Sequence, residues 1–110
     1  ILGPDHPHTL TTLQNLAGTQ FTQGDPMSAR SLFERALESR IRILGPEHPD
    51  TTMTRVNLVL TLLKLGDREA AAPLLAMLGA LRHRDPATLS AVEMQILGLL
   101  PELEAQILRG

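Results

Sequence analysis

The stretch Leu2-Gly3-Pro4-Asp5-His6-Pro7 occurs a second time, with one change, as Leu44-Gly45-Pro46-Glu47-His48-Pro49. The two copies lie 42 residues apart (44 − 2 = 42), and the correspondence continues without a gap when residues 2–37 are aligned with 44–79. Fourteen of the 36 aligned positions are identical. This level of identity at a fixed offset indicates an internal repeat, and periods of about 20–50 residues are typical of repeat architectures.

The first unit, residues 2–43, has the pattern of two helices joined by a short corner. Apolar residues recur three and four positions apart from Leu10 to Phe21, which predicts an amphipathic helix. Gly24 then ends this helix, and Asp25-Pro26 is a favourable start for the next one. The second helix is expected to run from Pro26 to Ile43. Its apolar face is predicted to contain Met27, Ala29, Leu32, Phe33, Ala36, Leu37, Ile41 and Ile43.

The second unit, residues 44–85, repeats this plan, with helices expected at about 50–65 and 68–81 around a Gly66-Asp67 corner. Residues 86–110 lack such a corner and are predicted to form degenerate C-terminal capping helices. The segment Asp85-Pro86-Ala87-Thr88 resembles the earlier helix starts, and Pro101 is expected to break or kink the chain. The sequence thus predicts a single all-α domain built as a stack of helix pairs.

Composition and charge argue against several classes of function. Hydrophobic residues make up 43% of the chain and aromatic residues 2%, so Leu and Ala must provide most of the packing. A net charge of −2 provides no basic field for nucleic acid, and Cys is absent, which removes thiolate catalysis and Cys-based zinc sites. No apolar run is long enough to span a membrane. We therefore expect a cytoplasmic, non-enzymatic protein with no cofactor, no catalytic residue and no nucleic-acid or membrane partner.

The spacing of large and small residues around each corner resembles the tetratricopeptide repeat (TPR). In the first unit the matching positions are Leu13, Leu16, Ala17, Gly24, Ala29, Phe33 and Ala36, and in the second Leu58, Leu62, Gly66, Ala71 and Leu75. The 42-residue length, the Leu-Gly-Pro-Asp/Glu-His-Pro junction and Leu-Gln-Asn-Leu-Ala at 13–17 are similar to the kinesin light chain subtype. The resemblance implies a right-handed α-solenoid. The second unit departs from it at Arg55, where a large apolar residue is usual, and at Leu78, where Ala is usual.

The resemblance also implies a concave groove that binds a partner peptide. The groove candidates that follow from it are Thr11, Gln14, Asn15, Thr22, Met53, Asn57, Leu60 and Lys64. Asn15 and Asn57 either bond a neighbouring helix or contact the backbone of a bound extended peptide. Polar residues at equivalent places, Thr12, Thr19 and Thr22 and then Thr54, Thr61 and Lys64, are expected to face water or a polar ligand.

Apolar residues dominate the groove positions of the second unit, where Met53, Val56, Leu60 and Leu63 occur. One interpretation is that this part of the groove takes a hydrophobic partner segment. The other is that residues 86–110 fold over and cover it, since several exposed Leu and Val side chains favour association.

Two polar clusters have simpler interpretations than a binding site. Asp5-His6-Pro7-His8 contains metal-ligand types, but His6 recurs as His48 before a proline, which is typical of a helix start. Arg82-His83-Arg84 is interpreted as a solvated loop.

Two hypotheses for function follow. In the first, the chain is a protein–protein interaction module that binds a peptide or partner segment in its concave groove. In the second, it is a structural or regulatory terminal array of a larger signalling protein, for example one with a nucleotide-binding domain, and has no ligand of its own. Ile1-Leu2-Gly3 matches Ile43-Leu44-Gly45, so a further repeat is expected upstream. The faces of the terminal repeats could also support self-association.

Overall fold

Helices joined by short corners make up the structure, a computed structural model that describes residues 7–108, with side chains from Thr9 onward. The α-helices of this range are α1 (Pro7–Thr22), α2 (Pro26–Leu44), α3 (Pro49–Lys64), α4 (Arg68–Gly79) and α5 (Ala91–Leu108). Two short 3-10 turns, Ala80–His83 and Pro86–Thr88, lie between α4 and α5. The described chain contains no strand, and the all-α helical-repeat fold expected from the sequence is confirmed.

Each helix packs against the next one in the chain, and α5 contacts both α4 and α3. The core is a continuous layer of Leu, Ala and Val side chains between the helices, with Phe33 as its buried aromatic residue. Its most enclosed large side chains include Leu62, Leu78 and Leu100. The molecule measures 41 × 33 × 19 Å, and 19 Å corresponds to two layers of helices about 10 Å across.

The two Gly-Asp corners have the same construction in both units. Gly24 and Gly66 adopt φ values of +86° and +79°, the left-handed conformation that ends a helix at low cost only in glycine. The Asp67 carboxylate then accepts a hydrogen bond from the Ala70 amide at 3.1 Å, which caps the start of α4. Its other oxygen accepts from Arg30 Nη1 at 3.0 Å and so ties α2 to the following corner.

The start of α3 shows what the repeated His-Pro motif does. His48 is the N-cap residue, and its Nδ1 accepts a hydrogen bond from the Asp50 amide at 3.1 Å. The interpretation as a helix start is thus confirmed for His48. The equivalent Asp5 and His6, and the side chain of His8, lie outside the described residues.

The C-terminal segment differs from its predicted form. Residues 86–88 form only a 3-10 turn, and α5 begins at Ala91. Of the two outcomes expected at Pro101, a break or a kink, the break is wrong, because α5 continues through the proline to Leu108. Proline removes one backbone hydrogen bond, but Ile96, Leu100 and Leu103 lie buried on both sides of it and keep the helix packed.

Arg82 and His83 are exposed, as expected for a solvated segment, and Arg84 is half-buried, but both arginines also pair with carboxylates of α5. The Arg82 guanidinium donates to both oxygens of Glu104 at 2.8 and 2.6 Å. Arg84 Nη1 donates to Glu93 at 2.6 Å. The segment between α4 and α5 is therefore held against α5 at two points.

The predicted apolar face of α2 is only partly buried. Its central residues Ala29, Phe33 and Ala36 belong to the core, whereas Met27, Ile41 and Ile43 are exposed. Ile41 lines a shallow pocket with Ala70 and Leu74 of α4, so this part of α2 lies beside the start of α4 but remains open to solvent.

Candidate functional site

A cavity of about 210 Å³ opens between α1 and α3, and we call it the α1–α3 groove. It is lined by Gln14, Gly18, Phe21, Thr22, Phe33, Asn57, Leu60 and Thr61. Four of the groove candidates from the sequence therefore meet here: Gln14, Thr22, Asn57 and Leu60.

The other four candidates lie elsewhere. Asn15 lies in a shallow depression on α1, beside Thr19 and Gln23. Thr11 and Lys64 are exposed, and Met53 is half-buried against the core. None of these four side chains lines the α1–α3 groove.

The floor of the groove is apolar and its walls carry neutral polar groups. Phe33 belongs to the buried core at the bottom, Phe21 is half-buried, and Leu60 remains 39% exposed. The lining contains no charged side chain. A segment bound here would be held by apolar contact and neutral hydrogen bonds rather than by ion pairs.

The hydroxyl groups beside the groove are occupied by their own helices. Thr22 Oγ1 donates to the Gly18 carbonyl at 2.9 Å, and Thr61 Oγ1 donates to the Asn57 carbonyl at 2.8 Å. These bonds satisfy the hydroxyl protons and leave the threonine methyl groups for packing.

Asn57 is the polar side chain best placed to act on a ligand. It is half-buried, and within the described part of the chain its amide makes no hydrogen bond. The amide of Asn15, on exposed helix surface, likewise makes none there. The first alternative for these asparagines, a bond to a neighbouring helix, is thus not found among the described residues.

A partly buried polar network adjoins the groove at Gln14. Arg40 Nη1 of α2 donates to Thr54 Oγ1 of α3 at 2.8 Å, and Gln14 Oε1 of α1 lies 3.4 Å from the same hydroxyl. Thr54 Oγ1 is also 3.0 Å from the Asp50 carbonyl. This network joins three helices and so sets the separation of the groove walls.

The predicted polar stripe has different surroundings in the two units. Thr12, Thr19 and Thr22 are exposed, as expected, but Thr54 and Thr61 are fully buried, so for these two the prediction is wrong. The reason is position in the stack, because α3 packs against α2, α4 and α5.

The apolar groove positions of the second unit are explained mainly by the core. Val56 is 3% exposed, and Met53 and Leu63 are half-buried and pack against the core. The expectation that residues 86–110 cover this surface is wrong for Leu60, which is exposed in a groove that no residue of α5 lines.

Sequence reasoning missed Phe33 and Thr61 as groove-lining residues. The sequence pattern predicts Phe33 only as a core residue, because periodicity does not reveal that one edge of a core side chain forms the floor of a cavity. The pattern places Thr61 in a solvated stripe, and the signal for a groove position is its spacing of four residues from Asn57.

Two further observations concern membranes and metals. None of the helices in the described range combines the length and hydropathy that crossing a bilayer requires. Between Thr9 and Leu108, no three His, Cys, Asp or Glu side chains lie close enough together to share a metal ion.

Part of the chain matches a known family model. Residues 9–50, which comprise most of α1, all of α2 and the start of α3, match the family model described as Tetratricopeptide repeat. The matched segment is 42 residues long (50 − 9 + 1 = 42), the same as the internal offset. No curated protein is significantly similar to the chain. The match indicates a tetratricopeptide repeat in this segment, and such repeats generally mediate protein–protein interaction.

Proposed function

We propose that this chain is a non-catalytic interaction module that binds an extended peptide segment of a partner protein in the α1–α3 groove. The observation that carries the proposal is the half-buried side-chain amide of Asn57, which makes no hydrogen bond to any described residue and lies beside exposed Leu60. An asparagine side chain offers both a donor and an acceptor, the two groups that a peptide backbone presents. The proposal is thus a backbone contact at Asn57 with an apolar peptide side chain against Leu60.

The size of the groove supports a peptide side chain rather than a larger ligand. Its volume of about 210 Å³ is below the 300–1,000 Å³ typical of small-molecule and cofactor sites. Successive side chains of an extended peptide point to opposite faces, so two neighbouring side chains do not enter the same cavity. A cavity of this size can therefore accept a single apolar side chain.

The neutral lining supports an apolar rather than a charged motif. With no charged side chain in the groove, binding depends little on screening by salt. We expect the Kd of a groove-binding peptide to change less than about threefold between 50 mM and 500 mM NaCl.

The test is selection of peptides from a random displayed library on the whole chain, followed by calorimetry with an enriched peptide. Asn57→Ala is expected to weaken binding about tenfold, the cost of one lost hydrogen bond with its partner left unpaired. Leu60→Ser should weaken it by a similar factor through lost apolar contact.

Asn15→Ala is the matched control, since Asn15 is the repeat equivalent of Asn57 but lies outside the groove. Binding by this variant is expected to stay within twofold of the unmodified chain. An equal loss of peptide affinity in both variants would instead indicate that the contact involves Asn15 as well as Asn57. Failure to enrich any peptide would instead favour the terminal array without a ligand.

The finer subtype and the location in the cell stay predictions. The 42-residue period supports a kinesin light chain-like repeat. A cytoplasmic location and self-association through the terminal repeats likewise stay predictions.

A further inference from the structure

A second cavity, of about 330 Å³, lies at the other end of the second unit, and we call it the Arg55 cavity. It is enclosed by the loop before α3, the first half of α3 and the end of α4 with the turn that follows. Apolar side chains including Met77, Leu78 and Leu81 form one wall, and Arg55 and Arg84 contribute guanidinium groups. None of these residues lines the α1–α3 groove, and the volume lies within the range of small-ligand sites.

Arg55 is a buried cation with incomplete pairing. Only 7% of the residue is exposed, and its Nη1 donates to the Pro46 carbonyl at 2.6 Å. Its Nε is buried and has no hydrogen-bond partner, and within the described chain no carboxylate lies within 4 Å of the guanidinium. Burial lowers the pKa of Arg55, yet an arginine keeps its charge at neutral pH.

A buried charge without a counterion is costly, since desolvation of one ion costs several kcal/mol even after the protein relaxes. The preceding unit avoids this cost, because the equivalent position (55 − 42 = 13) is Leu13. An apolar side chain is thus compatible with the fold at this place. Arg55 lines the cavity, so an anion bound there would supply the counterion that the described chain does not provide.

The second guanidinium already has its counterion. Arg84 Nη1 donates to Glu93 at 2.6 Å, and the Glu93 side chain is 3% exposed. Glu47, an exposed carboxylate, also lines the cavity but does not pair with Arg55. The unpaired positive charge of the cavity is therefore that of Arg55.

We propose that the Arg55 cavity binds an apolar carboxylate, with the carboxylate on the Arg55 guanidinium and the apolar part against Met77, Leu78 and Leu81. A guanidinium binds a carboxylate through paired N–H donors, and the apolar wall excludes water from that contact. This chemistry can come from the terminal carboxylate of a peptide or from a free apolar acid. The proposal does not depend on the α1–α3 groove.

The test is a ¹H–¹⁵N NMR titration of the whole chain with four probes at up to about 10 mM, which detects millimolar Kd values. The probes are octanoate, octanol, acetyl-Ala-Leu with a free carboxylate, and its C-terminal amide. We expect at least one carboxylate probe to shift the amide resonances of residues within 46–55 and 77–84. The matching uncharged probe, octanol or the dipeptide amide, should bind at least tenfold more weakly. Binding of the dipeptide alone identifies a peptide terminus, and binding of octanoate alone identifies a free acid.

Variants separate binding from folding. Arg55→Leu is expected to weaken binding of the carboxylate probe at least tenfold. The variant should melt at the same or a higher temperature, since Leu occupies this position in the first unit. Arg35→Leu, a change of an exposed arginine on α2, is the matched control and should bind as the unmodified chain does. Met77→Trp should block the cavity without altering Arg55, and it serves if Arg55→Leu fails to fold.

Two more variants define the site. Glu47→Gln should tighten carboxylate binding two- to threefold by removing a like charge. Asn57→Ala should leave carboxylate binding unchanged within twofold. Failure of the proposal for the α1–α3 groove and failure of the proposal for the Arg55 cavity are therefore distinguishable. Equal binding of octanol and octanoate, equal binding by Arg55→Leu, or no shift with either carboxylate would overturn the proposal.

Discussion

Glycine at the corner between α3 and α4 shows how one residue decides local structure. Gly66 has φ of +79°, its amide donates to the Leu63 carbonyl at 3.1 Å, and the Asp67 amide donates to the Leu62 carbonyl at 2.9 Å. These bonds satisfy carbonyls at the end of α3 that would otherwise lack partners. No heavy atom lies within 4 Å of a Cβ built on Gly66, so the demand is conformational and not steric crowding.

Replacing Gly66 by alanine should lower the free energy of unfolding by about 1 kcal/mol, because a Cβ disfavours the left-handed conformation by that amount. The same substitution at Gly98 is the matched control. Gly98 lies inside α5 with open space around it, and alanine there should stabilise by about 0.5–1 kcal/mol through helix propensity. Urea denaturation of both variants measures the effect. The assigned corner would be contradicted if neither variant lost stability, or if Gly98→Ala lost stability and Gly66→Ala did not.

The starts of α2 to α5 each have a short capping contact, and that of α5 is the most connected. Ser90 Oγ accepts from the Glu93 amide at 3.1 Å, while Glu93 Oε1 accepts from the Ser90 amide at 2.9 Å, which together form a capping box. The other carboxylate oxygen of Glu93 accepts from Arg84. The hydrogen bond from the Ser90 amide contributes most to a lowered pKa of Glu93; those from the Ser90 side chain and Arg84 act in the same direction, whereas burial opposes them.

The charge of Glu93 should therefore stabilise the fold in a pH-dependent way. Because its pKa is lower in the folded than in the unfolded chain, the stabilisation is complete above the unfolded value of about 4.3 and disappears as pH falls through the folded value. Glu93→Gln keeps the capping geometry but loses the ion pair, and should cost about 1.5 kcal/mol at pH 7.

The measurement is the free energy of unfolding of Glu93→Gln and the unmodified chain from pH 7 down to pH 3. The difference between them should narrow below about pH 4.5. Glu102→Gln, on exposed surface of α5, is the control and should stay within about 0.5 kcal/mol at pH 7. A difference that stays constant across this pH range would contradict a role for the charge.

Across the described helices, stability comes from contacts between sequential helices rather than from a central core. The contacts run from α1 to α2, α2 to α3, α3 to α4 and α4 to α5, with α5 also on α3. Stacks of this kind gain stability from each neighbour interface, and their ends can open separately. The C-terminal end is secured by Ile96, Leu100 and Leu103, all buried, and by the ion pairs of Arg82 and Arg84.

Removing one of these contacts should loosen the C-terminal end first. Leu100 is fully buried, so Leu100→Ala should cost about 2–5 kcal/mol and speed hydrogen exchange in α5 more than in α2. Its neighbour Leu99 is 43% exposed, and Leu99→Ala should cost less than about 1 kcal/mol. Equal acceleration of exchange in α2 and α5 would show that the chain opens as one unit.

Most of the fold could be predicted from the sequence, because its signals are local. The corners at Gly24 and Gly66 and the period of the apolar residues predict where α1 to α4 lie to within a few residues. The start of α5 was less evident, although Ser90 and Glu93 have the spacing of a capping box. The course of α5 through Pro101 was not predictable, since it depends on burial on both sides of the proline.

The candidate site was predicted only in part, and the reason is physical. Period and resemblance alone identify which residues repeat, and so Asn15 and Asn57 or Thr19 and Thr61 receive the same assignment. Tertiary packing decides that Asn57 lines a groove and Asn15 does not, and that Thr61 is buried while Thr19 is exposed. Helix positions follow from interactions a few residues apart, whereas burial follows from how many neighbours the stack places around each helix.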